Sequence, residues 1–161
     1  MAEIFEPLLS IPPPVDVGSF AYLIMFYEGV GNLFPWNAFI TASGYYAARF
    51  CGTSFEDSFE NYFSITYTLS QTIGLVLAVL YAENFSLNQK ITLPLLAYSV
   101  IFGITTLLVG IQDIDPTLLF FVTLLSAFCS GMVGALLSGG LFSLGAMFPP
   151  SYTGALMNGK K

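Results

Sequence analysis

The chain has 161 residues, of which 55% are hydrophobic and 9% charged, with no histidine, a mean hydropathy of +0.76 and a formal net charge of −6. A soluble domain carries about a quarter charged residues, so too little polar surface is present to solvate a globule, and the composition is that of an all-α polytopic membrane protein. The acidic balance comes mainly from short polar segments and implies no nucleic-acid partner, and without histidine no zinc-type centre or other metal cofactor is implied.

Residues 1–18 hold no Lys or Arg, and their short apolar run is broken by Pro12, Pro13 and Pro14. They do not read as a signal peptide; an extended or disordered cytoplasmic tail is expected. The membrane domain then occupies 19–161. Its first helix is expected over about 19–46. Asn32, Pro35, Trp36 and Asn37 fall at mid-span, where a lipid-facing helix has no use for them. Pro35 removes the backbone bond to the Gly31 carbonyl. Such a loss is tolerated where neighbouring helices or a wet cavity satisfy the freed group, so this segment is expected to line something. Leu33, Trp36, Asn37, Ile40 and Gly44 share one helical face. A Trp beside an Asn can stack on a flat ring and hydrogen-bond its polar edge; the same face could equally pack on another helix through Asn37. Glu28 is the only carboxylate well inside an apolar span. It is a gating or proton-coupling candidate, with snorkelling to the interface as the alternative.

A polar loop with Arg49, Glu56, Asp57 and Glu60 leads to a second helix over about 62–82. There Tyr67, Ser70, Gln71 and Gly74 form a polar stripe, with Gln71 either a substrate contact or an interhelical hydrogen bond. A third helix is expected over about 91–111 and a fourth over about 117–148. The fourth carries two ridges of small residues, Gly131, Ala135, Gly139 and Ser143, and Ser130, Gly134 and Ser138. Such ridges let helix backbones approach closely. Pro149 and Pro150 end the fourth helix, and 151–161 reads as the start of a fifth. With the N-terminus inside, Lys90, Lys160 and Lys161 are cytoplasmic and only Arg49 is outside, in keeping with the positive-inside rule. Cys51 in a loop and Cys129 in an apolar helix are expected to be free thiols.

Two long motifs carry a resemblance. The run from Gly29 to Ala42, GVGNLFPWNAFITA, and the run from Gly134 to Gly159, GALLSGGLFSLGAMFPPSYTGALMNG, resemble signatures of the equilibrative nucleoside transporter family. The first is similar to that family's first helix and the second to its fourth helix running into its fifth. The resemblance covers the chain from about Gly18 to Gly159. It implies a partial N-terminal bundle of a major-facilitator-like fold, four transmembrane helices out of eleven. It also implies transport of nucleosides, in some members nucleobases, by facilitated diffusion. By position it makes Leu33, Trp36 and Ile40 cavity residues and Asn37 the polar neighbour of the Trp. It likewise places Gln71, Gly134 and Ser138 at substrate-binding positions, sets Gly140 on a functional position of the fourth helix, and sets Gly159 on a glycine that opens the fifth helix. Gly131, Ala135, Gly139 and Gly159 are taken as helix-packing positions. The chain departs from many members at Ser138 and Gly140, where Gln and Ser are common; the shorter side chain at 138 removes an amide that could read a base edge.

An enzyme is not expected, because the spans hold no His, no reactive Cys constellation and no paired carboxylates. The expected setting is an integral, multi-pass protein of the plasma membrane or an intracellular membrane. Other readings are a chain that binds or regulates a full-length carrier, and a small four-helix carrier that self-associates. Transporters of this architecture bind substrate between two bundles, and the chain is read as part of one. Reconstituted alone in liposomes, it is expected to admit labelled adenosine and uridine no faster than empty liposomes do. Saturable entry above that background would favour the oligomeric small carrier.

Overall fold

The structure, a computed structural model, describes residues 16–81, 84–111 and 113–159. Most of the expected N-terminal tail, and Lys160 and Lys161, lie outside the described residues. Among those described, six α-helices follow in chain order: α1 (Phe20–Thr41), α2 (Ser43–Phe50), α3 (Phe59–Leu80), α4 (Leu87–Val109), α5 (Pro116–Gly145) and α6 (Pro150–Asn158). Three of them, α3, α4 and α5, are long and apolar enough to cross a membrane. α1 has the length, at 22 residues, but Glu28, Asn32 and Asn37 dilute its apolar character. Length and composition together therefore support three spans, where the sequence reading expects four. At about 1.5 Å per residue, the 30 residues of α5 outreach a hydrocarbon core of about 30 Å.

Local chemistry sets the helix ends. The sequence reading starts the third span at about residue 91, yet α4 begins at Leu87 because Ser86 and Gln89 form a capping box. The Gln89 N–H donates to Ser86 Oγ at 3.4 Å, and Gln89 Oε1 accepts from the Ser86 N–H at 3.0 Å. Asp115 caps α5 by accepting from the Leu118 N–H at 2.9 Å, with Pro116 at the first helical position. Before α1, Gly18 (φ 75°) and Ser19 (φ 58°) make a left-handed turn. That turn swings the Asp16 carboxylate back over the helix start, where it accepts from the N–H groups of Ala21 (3.0 Å) and Tyr22 (3.2 Å). The Tyr152 hydroxyl of α6 donates to the same carboxylate at 3.0 Å. The Ala21 N–H foremost, with the other donors, holds the Asp16 carboxyl below its ordinary value of 3.8. This latch is therefore intact above the ordinary carboxylate range and is lost as pH falls through the lowered value.

The expected first helix divides at Ala42, which takes φ −81°, ψ 0°. The interruption is a single residue: the Ala42 N–H still bonds the Ala38 carbonyl, and the Tyr46 N–H bonds that of Ala42. Pro35 sits buried inside α1, which continues past it.

Helix α5 touches α1, α3, α4 and α6 and is the strut of the bundle. Its contact with α3 is a seam of small residues. A side chain added at Gly131 would strike Ser70 Oγ and the Tyr67 carbonyl, and one at Gly74 would lie 2.9 Å from Ala135 Cβ and 3.0 Å from the Met132 carbonyl. On the α4 side, a Cβ at Gly140 would lie 2.8 Å from the Lys90 carbonyl. Pro94, four residues on, has no N–H to give that carbonyl, so the bare Cα of Gly140 meets a backbone oxygen that its own helix leaves free. α1 crosses α6 in the same manner, Gly29 against the Leu156 carbonyl and Gly159 against that of Phe26. At the end where α2 turns into α3, Tyr46, Phe50, Phe59, Phe63, Leu119 and Phe120 form an aromatic core. Phe55 stacks on Phe120 at 4.1 Å there, and Arg49 donates to the Ile114 carbonyl at 3.1 Å.

Gly139 has only Ala78 Cβ nearby, at 3.7 Å, an ordinary contact. Gly131→Ala is thus expected to cost about 1–3 kcal/mol through overpacking, and Gly139→Ala to be nearly neutral. Thermal unfolding of the two purified variants checks the contrast; equal stability would show that the α3–α5 seam yields.

Candidate functional site

The first-helix motif is held by one side of α1. Met25, Gly29, Pro35 and Phe39 are buried against the rest of the bundle. The face bearing Leu33, Asn37 and Ile40 is not: Asn37 is exposed, and Leu33 and Ile40 are 37% and 50% exposed. Asn37 Nδ2 donates to the Leu33 carbonyl one turn back at 3.0 Å, which engages one amide hydrogen within its own helix. Trp36 lies at the edge between the two sides. It is half-buried, and its ring centroid is 5.1 Å from that of Tyr67 on α3, with the planes tilted by 35°.

Tyr67 begins a polar cluster that joins three helices. Its hydroxyl faces that of Tyr98 on α4, and Tyr98 in turn donates to the Ser130 carbonyl of α5 at 3.1 Å. Gly134 makes room for this pair: a Cβ there would sit 2.6 Å from the Tyr98 oxygen and 3.7 Å from that of Tyr67. On the α1 side, Asn32 Nδ2 donates to Ser138 Oγ of α5 at 2.7 Å. Ser138 and Gly134 are thus both near the bundle's polar interior, one paired with Asn32 and the other beneath the two tyrosines.

The remaining sequence candidates scatter. The stripe on α3 splits, because Tyr67, Ser70 and Gly74 are buried in the seam with α5 while Gln71 is exposed. Ala135 and Gly131 are buried in the same seam, Gly159 is buried against α1, and Gly139 is half-buried. Glu28 is half-buried on α1. Cys51 and Cys129 are free.

A cavity of about 240 Å³ opens between α1 and α3. Trp36, Phe39 and Ile40 give it an apolar wall, and Ser43, Glu60, Asn61 and Ser64 give it a polar one. An indole face opposite amide, hydroxyl and carboxylate groups can hold a flat ring that carries hydrogen-bonding substituents. Sequence reasoning missed Asn61, Ser64, Tyr98 and the pairing of Asn32. Asn61 and Ser64 stand at i, i+3 where the polar loop gives way to the apolar run, and Tyr98 is a lone phenol deep in such a run. Each was a visible signal. Among the described residues no His, Cys, Asp and Glu group is placed to hold a metal ion.

No protein-family model matches the chain. It is, however, similar to curated proteins over nearly its whole length. It is 34% identical over 154 residues to the equilibrative nucleotide transporter 1 of Arabidopsis thaliana, a match covering 91% of this chain and 32% of that protein. It is 29% identical to the equilibrative nucleoside transporter 1 of Homo sapiens, covering 91% and 38%. It is 32% identical to the equilibrative nucleoside transporter 2 of Mus musculus, covering 91% and 35%. The chain spans about a third of the length of the curated relatives it matches.

The Asn32–Ser138 bond is expected to show as a coupling of about 0.6 kcal/mol, the size usual for hydrogen bonds between membrane helices. Thermal unfolding of Asn32→Ala, Ser138→Ala and the double variant measures it. Strictly additive effects would mean that the two groups act apart.

Proposed function

We propose, because this chain belongs to the equilibrative nucleoside transporter family, that its helices form one wall of a pathway by which a nucleoside crosses the membrane down its gradient. The observation that carries this reading is the open face of α1. Leu33, Asn37 and Ile40 stand outside the packing of the bundle, and Trp36 is braced on Tyr67 at their edge. An exposed amide among apolar neighbours is costly against lipid. It gains a purpose where a polar substrate, or the facing half of a transport pathway, meets it.

In this reading Trp36 stacks on the base, Leu33 and Ile40 flank it, and the free side of Asn37 bonds a polar edge. Ser138, fixed by Asn32, and the tyrosine pair seated over Gly134 set the depth of the site, while Gln71 meets the substrate from α3. Glu28 serves as a gating carboxylate. α1, α3, α4 and α5 act as four spans of the first bundle in a major-facilitator-like arrangement that rocks against a second. The charge count favours a cytoplasmic N-terminus, with Lys90, Lys160 and Lys161 inside and Arg49 outside. Asp16 meets Tyr152 at one end of the bundle and Arg49 meets Ile114 at the other. Placing the first end in the cytoplasm brings Lys90 to the same side and leaves Arg49 outside.

Stacking of a base on an aromatic ring is worth roughly 1–3 kcal/mol at nucleic-acid sites. Trp36→Ala in the intact transporter is therefore expected to weaken nucleoside uptake about tenfold or more while surface expression stays near normal. Collapse of expression, with uptake per surface molecule unchanged, would make Trp36 a packing residue and remove the cavity reading.

A further inference from the structure

A second cavity, of about 350 Å³, shares no residue with the first. It lies where α3 turns into α4, between those two helices and the second half of α5. Its walls are apolar, with Leu75 and Ala78 from α3, Leu93 and Pro94 from α4, and Leu136 from α5. Gly139 leaves the floor bare, since Ala78 Cβ at 3.7 Å is the only atom near the place of its missing side chain. Among the described residues that line the groove, Lys90, in the first turn of α4, is the one charged group. The position of Lys90 is fixed from below, because its carbonyl, left free by Pro94, rests on Gly140. At the rim, Tyr81 and Phe85 are 53% and 48% exposed. Tyrosine, as at 81, is enriched at the headgroup level of a membrane.

An apolar trough between helices, with the Lys90 ammonium at one end, has the chemistry of a lipid and not of a polar solute. We propose that this groove binds an anionic phospholipid, one acyl chain lying along the trough and the phosphate paired with the Lys90 ammonium. Basic pockets between transmembrane helices on the cytoplasmic side are suited to such headgroups. The assignment rests on α3, α4 and α5 spanning the membrane and is independent of what the open face of α1 contacts, so it stands or falls separately from the transport reading.

The test uses the intact protein in vesicles of phosphatidylcholine doped with a photoactivatable acyl probe carrying either a phosphatidylserine or a phosphatidylcholine headgroup. Crosslinks from the phosphatidylserine probe are expected on peptides spanning 75–79 and 136–143, and to exceed those from the phosphatidylcholine probe about fivefold, the worth of one basic side chain at an anionic surface. Lys90→Gln is expected to erase that preference while leaving unfolding temperature and nucleoside uptake unchanged. Gly139→Val, which raises the floor, is expected to reduce labelling by both probes. Equal labelling by the two headgroups in the wild type would overturn the proposal. So would a preference that survives Lys90→Gln, or a groove that never labels because another part of the protein or a second copy fills it.

Discussion

Lipid tails are as apolar as leucine, so a helix in a bilayer gains little by burying leucine against its neighbour. Association must come from close packing and from polar contacts between helices. Here the glycines of α5 supply the first. Gly131 lets α3 come near enough for Ser70 and the Tyr67 backbone to touch α5, and Gly140 does the same for α4 at the Lys90 carbonyl. Most of the architecture follows from that proximity. The aromatic core at one end forms because α2, α3 and the start of α5 are already gathered, and the tyrosine pair meets because Gly134 gives it space. A single methyl group at the wrong place on α5 would separate elements that no hydrophobic force would then draw together.

Polar contacts between elements supply the second. Asn32 reaches Ser138, Tyr98 reaches the Ser130 carbonyl, and Asp16 receives Tyr152. Since these groups are committed to one another, the groups left over acquire meaning. Asn37 spends one hydrogen on its own helix and is otherwise open, with Trp36 supported beside it. The contrast between Asn32 and Asn37, five positions apart on α1, separates a residue that holds the bundle from one that faces away from it.

The sequence made much of this readable. Apolar runs locate α3, α4 and α5, and the first-helix motif occupies the helix that bears the open face; of the small-residue ridges on α5, Gly131 and Ala135 lie in the seam with α3 while Gly139 and Ser143 border a groove. Three things were hidden, for different reasons. The early start of α4 was spelled out by Ser86 and Gln89, a Ser-x-x-Gln signature concealed inside a segment polar enough to pass for a loop. The division of α1 at Ala42 has no such signature, since alanine favours helix. The partner of Asn32 lies 106 residues away, and spacing along one helix cannot name a partner on another. The same limit explains Gln71. It shares a helical stripe with Tyr67, Ser70 and Gly74, but α5 covers only part of that stripe.

The crossing of α1 with α6 also fixes an order of events during synthesis. Gly29 and Gly159 meet only after roughly 120 residues have been made beyond the end of α1. At about 5–20 residues per second, that is a delay of roughly 6–24 s. Throughout it, the side of α1 destined for α6 has no partner, and Asn32 waits for a serine that has not yet been translated. α3 meets α5, and α4 meets α5, across much shorter stretches of chain. The trio α3, α4 and α5 can therefore close first, leaving α1 as a late arrival. During that interval Asn32 lacks the hydrogen-bond partner it has in the finished fold.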